Sequence, residues 1–133
     1  MKYFEGVRVY AVPVYPFTSR RCAITWPGVG IFCSPCLVDN IPLLRHEFGH
    51  VLQRRYFGWW FYWFRVAPVS FLSAVRAACR WMRPFFHADT WTEWSANRLS
   101  YAYFHQPADW SDVLFPRRVK LKERRWATKF PSA

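Results

Sequence analysis

Carboxylates are scarce in this chain: 8 Asp and Glu stand against 19 Lys and Arg in 133 residues, a formal charge of +11 and a pI near 10.1. Such a deficit favours anionic partners, whether nucleic acid, acidic lipid or acidic protein, and says nothing about fold. Any uncharged apolar run of transmembrane length is missing as well, so a simple membrane-spanning helix is not expected. The N-terminal stretch MKYFEGVRVYAVPVYPF puts Glu5 and Arg8 where a signal peptide needs an unbroken apolar core. The expectation is therefore a cytoplasmic or peripheral membrane protein without a cleaved leader. A single C-x-x-C, Cys33-Ser34-Pro35-Cys36, suits a redox dithiol or half of a four-thiolate zinc site, but no second C-x-x-C completes the latter, and small buried thiols or an incidental pair is the bland reading. Cys22 and Cys79 are the other two cysteines. No helix-turn-helix, zinc-finger or RNP-like pattern, internal repeat or low-complexity segment is legible, so nucleic acid is not favoured as a partner.

Aromatic rings, by contrast, are abundant: 9 Trp, 7 Tyr and 13 Phe bring the aromatic share to 22%, which excludes a disordered chain. The length suits one domain. We place that domain at residues 1–116 and a basic tail at 117–133, where seven Lys and Arg against Glu123 hold more than half of the net charge. That tail fits an anion-binding arm or a solvated terminus equally well.

The fold class read from patterning is α+β, a short N-terminal β-sheet followed by about three helices. Residues 7–14, 22–26 and 29–33 read as short strands, with Pro13 ending the first and Pro27-Gly28 turning between the others. Asp39 or Asn40 as N-cap, Pro42 in the first turn and Gly58 as stop frame a helix over 41–56 with the apolar stripe Ile41, Leu44, Phe48, Val51 and Leu52. The run Tyr56 to Phe64 is aromatic at every position but Gly58 and Trp59 onward leads to Arg65 and Pro68. This 56–79 segment fits either peripheral contact with an anionic membrane or the cover of a core or dimer contact. A second helix is expected from a Ser70 cap to Arg83, with Phe71, Leu72, Val75, Cys79 and Met82 inward, and a third from Asp89 or Thr90 to about Phe104.

The sharpest pattern is His46-Glu47-Phe48-Gly49-His50, an H-E-x-x-H motif on the first framed helix. Residues four apart share a helix face, so His46 and His50 aim at one ion, while Glu47 reaches a water on that ion without ligating it. Zinc would bring that water's pKa towards about 7, and Glu47 would take its proton as general base and pass it to a leaving amine. The bland alternative is a surface helix with a His pair one turn apart. A catalytic zinc wants a third protein ligand. Gln53 and Tyr56 stand where a metzincin has glycine and histidine, which excludes that class. Of the downstream donors His87, Asp89, Glu93, His105, Asp109 and Asp112, Glu93 is chosen, with Asn97 one turn on to hydrogen-bond a ligand. Glu93 could instead close a capping box on Thr90, and His87 is the rival ligand. His105 reads as a helix C-terminal cation, and His105, Tyr101, Tyr103 and Arg98 are open candidates for polarising a tetrahedral intermediate.

With His46-Glu47-Phe48-Gly49-His50 followed by Trp91-Thr92-Glu93…Ala96-Asn97, residues 41–104 resemble the gluzincin branch of zinc metallopeptidases and, more closely, small bacterial zincin-like proteins. The resemblance implies Zn2+ on His46, His50 and Glu93, Glu47 as base, a peptide or protein substrate, and Asn97 in the place of the family's aspartate that hydrogen-bonds a ligating histidine, without its charge. Two other classes stay open: a non-catalytic zinc-binding zincin-like module, and a DNA-associated SprT-like metalloprotease, which the lack of a third histidine soon after the pair disfavours.

Overall fold

Glu5 and Gly6 both take positive φ, 48° and 75°, the geometry of a two-residue hairpin turn, and so fold Lys2–Phe4 (β1) back onto Val7–Ala11 (β2) with Phe4 opposite Val7. The computed structural model describes residues 1–15, 17–18, 21–78 and 90–117. Ala23–Trp26 (β3) and Gly30–Cys33 (β4) form a second antiparallel pair around Gly28, whose φ of 95° suits only glycine. β4 then pairs in parallel with β2, Val9 opposite Ile31, giving the order β1-β2-β4-β3 with β3 at an edge. β1 was not foreseen, being only three residues long, and the first expected strand ends at Ala11 rather than 14.

The expected frame of the first helix holds. Ile41–Phe57 (α1) is capped by the Asn40 side chain, which accepts from the Leu43 N–H at 3.1 Å, and is stopped at Gly58, whose φ is 83°. Its apolar stripe is partly corrected: Leu44, Phe48 and Val51 are buried, but Ile41 is exposed and Leu52 half-buried. Val9, Ile31, Cys33, Leu37 and Leu44 make the core between sheet and helix. Phe48 continues it, edge-on to Phe4 and against Tyr103 and Phe104. Glu47, Gly49, His50 and Gln53 are buried too, because α1 also packs on Trp91–Tyr103 (α4).

The second helix differs most from expectation. Trp59–Phe61 (α2), a π-helical stretch Tyr62–Val66 and Ala67–Ala78 (α3) follow one another without a break. Pro68 lacks an N–H and crowds the preceding turn; the wider π turn, in which the Ala67 N–H bonds the Tyr62 carbonyl, lets the helix pass it. Ser70 thus lies inside a helix and is no cap. Phe71, Leu72 and Val75, expected inward, are exposed, since Tyr62, Val66 and Ser73 are the buried positions. Cys79, Met82 and Arg83 lie outside the described residues, as do His87, Asp89 and the tail beyond Arg117.

Candidate active site

Gly49 sets how closely the two helices of the site approach: a Cβ there would stand 2.3 Å from the Ala96 carbonyl oxygen on α4. With no side chain between the backbones, Glu93 meets both imidazoles of α1. Its Oε2 lies 3.2 Å from His46 Nε2 and 3.5 Å from His50 Nε2. The ligand atoms of the three residues all fall within 4.8 Å of one another. A tetrahedral ion with bonds of about 2.1 Å needs ligand-to-ligand edges of about 3.4 Å, so the donor set has the chemistry and the spacing for such an ion.

Each imidazole is oriented from behind. His46 Nδ1 faces Asn97 Oδ1 at 2.6 Å, and Asn97 Nδ2 donates to the Pro116 carbonyl at 2.9 Å. His50 Nδ1 faces Gln53 Oε1 at 2.8 Å, while Gln53 Nε2 donates to the Thr92 carbonyl and to Ser95 Oγ. An amide oxygen only accepts, so both histidines carry a proton on Nδ1 and present Nε2 to Glu93. The Glu93 carboxylate is divided in the same way: Ser70 Oγ donates to Oε1 at 2.7 Å and leaves Oε2 to the histidines. The Glu93 carboxylate is thus engaged by Ser70 and the histidines; Thr90 forms no side-chain cap, and its carbonyl accepts from the Glu93 and Trp94 backbone N–H groups.

These contacts govern protonation. Burial pulls the His50 imidazole down, but the charge and hydrogen bond of Glu93, then Glu47 and Gln53, outweigh it and raise it to about 9. His46 is raised in the same way, against burial, by Glu93. Burial pushes Glu93 up, yet His50 and His46 hold it well below the usual carboxylate range. The metal-free cluster is thus a buried ion pair whose protons a cation would displace.

Glu47 is buried and points into the same cleft, about 490 Å³ in volume, that His46, His50 and Glu93 line. Thr25 on the edge strand holds it, donating to Oε2 at 2.7 Å. Tyr62 and Trp63 form the facing wall. Burial, then Glu47 and Glu93, push the Tyr62 phenol upward, so it stays a protonated donor inside the cleft. No protein-family model, curated protein or solved structure matches this chain. What the site can do is argued from its geometry.

The structure brings together His46, Glu47, His50, Glu93 and Asn97 as the pattern proposed, and it leaves the other candidates elsewhere. Tyr101 packs edge-on to Trp110 with the Arg117 guanidinium 3.6 Å above its ring, and it is not in the cleft wall. Tyr103 donates to Glu5, and Arg98 lies over the Trp94 ring. His105 is exposed in the turn after α4 at φ 56°. Asp109 pairs with Arg45 and Asp112 with Arg117, which occupies both as salt-bridge partners. Cys33 sits in the core and burial pushes its thiol up, opposite to the need of a reactive thiolate, while Cys36 is exposed and both are free.

Gln53, Thr25, Ser70 and Tyr62 were not foreseen. Gln53 had a local signal, lying three residues after His50 on the same helix face. Ser70 carried a misleading one, since a serine before an apolar run resembles a cap. Thr25 and Tyr62 reach the site only through tertiary packing.

Proposed function

We propose that the chain is a zinc-dependent peptidase with a minimal zincin-like domain of the gluzincin kind. The observation that carries this reading is the convergence of His46 Nε2 and His50 Nε2 on Glu93 Oε2, the ligand atoms of the three residues lying within 4.8 Å of one another, in a cleft that Glu47 also lines. His46, His50 and Glu93 would hold the Zn2+, whose Lewis acidity would polarise a peptide carbonyl and lower the pKa of a water to about 7. Glu47, held by Thr25, takes the proton of the attacking water and delivers it to the leaving amine. Tyr62 is the protonated donor available to the oxygen that gains charge, a role for which the sequence left His105, Tyr101, Tyr103 and Arg98 as open candidates. Asn97 and Gln53 keep the imidazoles in one tautomer and orientation. The Asn97 amide does this without the charge that an aspartate would add.

A peptide is the favoured substrate because β3 is an edge strand and its residues 23–26 line the cleft. An extended segment can pair along that edge with its scissile bond carried past Glu47. The test is zinc content together with cleavage of a peptide library. One zinc per chain, with Glu47→Gln keeping the zinc and losing cleavage, is the expected result. Stoichiometric zinc without turnover in the native protein would leave a zinc-stapled binding module instead, and a protein that takes up no zinc refutes both.

A further inference from the structure

The helical run from Trp59 to Ala78 has two faces. Its inner face, with Tyr62, Trp63, Ala67 and Ser70, walls the cleft. Its outer face carries Trp60 at 70%, Phe64 at 66%, Phe71 at 64% and Leu72 at 59% exposure, with Trp59 and Val75 beside them. Exposed apolar ridges of this kind mark an interaction surface. From Trp59 to Val75 the ridge is about 24 Å long at ~1.5 Å per residue. Among the described residues no helix is long and apolar enough to cross a membrane.

Charge decides what the ridge meets. From Phe48 to Ala88 the sequence contains no Asp or Glu and six arginines, Arg54, Arg55, Arg65, Arg76, Arg80 and Arg83. Arg65 and Arg76 are exposed along the same helical run. Trp and Phe over an apolar face, edged by arginines and free of carboxylates, is the composition that lies flat in the headgroup zone of an anionic bilayer.

We propose that this outer face docks on an anionic lipid bilayer, with the helical run parallel to the membrane plane. Phe71 belongs to both the ridge and the cleft wall, and Trp26 on the opposite lip, 57% exposed, packs at 5.6 Å on Trp63. Docking therefore brings the cleft mouth to the lipid–water boundary, where a peptide substrate would be a segment emerging from the membrane. The docking itself needs no metal, so its test is separate from that of the peptidase reading.

The experiment is co-sedimentation of the full chain with vesicles of phosphatidylcholine alone and of phosphatidylcholine mixed with phosphatidylglycerol, over a salt series. Binding to the mixed vesicles that weakens with salt, and is about tenfold or more weaker on phosphatidylcholine alone, is expected. The paired substitution Trp60→Ser, Phe64→Ser, exposed and remote from the metal ligands, should weaken binding about tenfold or more with unchanged circular dichroism. Arg65→Glu with Arg76→Glu should flatten the salt dependence. Native protein that ignores mixed vesicles overturns the proposal. Ring-substituted protein that binds as the native does also overturns it, since the basic tail would then be the membrane contact. A stable dimer that the ring substitutions dissociate, with no vesicle binding, assigns the face to a second copy and overturns it equally.

Discussion

Substituting Gly49 by alanine tests whether helix proximity builds the proposed metal site. Ordinary van der Waals contact for a Cβ begins at 3.4 Å, whereas one at this position would meet the Ala96 oxygen at 2.3 Å and its carbonyl carbon at 2.8 Å. Both are backbone atoms, so no side chain can swing aside, and α4 has to recede by about 1 Å. Helix propensity favours the substitution by about 1 kcal/mol. Overpacking costs about 3 kcal/mol at the upper end of its usual range, because the obstacle is backbone. The net expectation is a loss of about 2 kcal/mol, which for a domain of this size lowers Tm by about 8 °C. The larger effect falls on the ligands: Glu93 moves with α4, and metal sites tolerate distance errors of only ~0.2 Å. Zinc affinity, measured by competition with a chromophoric chelator, should fall at least about tenfold, which is ~1.4 kcal/mol. Adding Ala96→Gly should not rescue it, because the clash does not involve the Ala96 side chain. A G49A protein with native Tm and native zinc affinity would refute the reasoning.

Gln53→Leu leaves His50 Nδ1 without its acceptor and removes the amide that ties α1 to the Thr92 carbonyl and Ser95 Oγ; zinc affinity should drop about 10- to 100-fold, and an unchanged chelator titration would exclude the orienting role. Thr25→Val should reduce peptide cleavage about tenfold while zinc content stays at the native level, since it frees Glu47 without touching a ligand; equal loss of both would place Thr25 in folding instead. With its imidazole raised from 6.5 to about 9, His50 is protonated at neutral pH in the metal-free protein, so zinc uptake should release protons and grow tighter as pH rises towards 9. Calorimetry in buffers of different ionisation enthalpy checks this, and a buffer-independent heat contradicts it. The same shift stabilises the metal-free fold fully below the unfolded value of 6.5 and is lost as pH rises through about 9, so thermal melts with chelator present should lose stability across that interval.

Local signals carried a large part of the site and fold. Asn40, Pro42 and Gly58 bound α1 by chemistry that acts within a turn, and Thr90 stands at the N-cap of α4, though without a side-chain cap. The spacing of His46, His50, Glu93 and Asn97 is helical, so each pair was legible on its own helix. That the two helices face each other was not; it depends on Gly49 meeting Ala96, a contact between residues far apart in sequence. The aromatic helix was misread because Pro68 is a breaker in an α-helix, and a π turn that admits it leaves no mark in the periodicity. Ile41 and Phe71 fit an apolar stripe and are exposed all the same, since a stripe states which residues share a face and not what covers it.

Gln53 has a consequence for how the site comes into being. Its amide oxygen aligns a ligand on α1, and its amide hydrogens are held by the first turns of α4, the helix that supplies the remaining ligand. Alignment of His50 and docking of Glu93 are thereby one event. A chain whose helices have not come together owns two loosely turning histidines and a distant carboxylate, which makes it a poor scavenger of metal. On the proposed reading, capture of an ion would therefore follow completed folding.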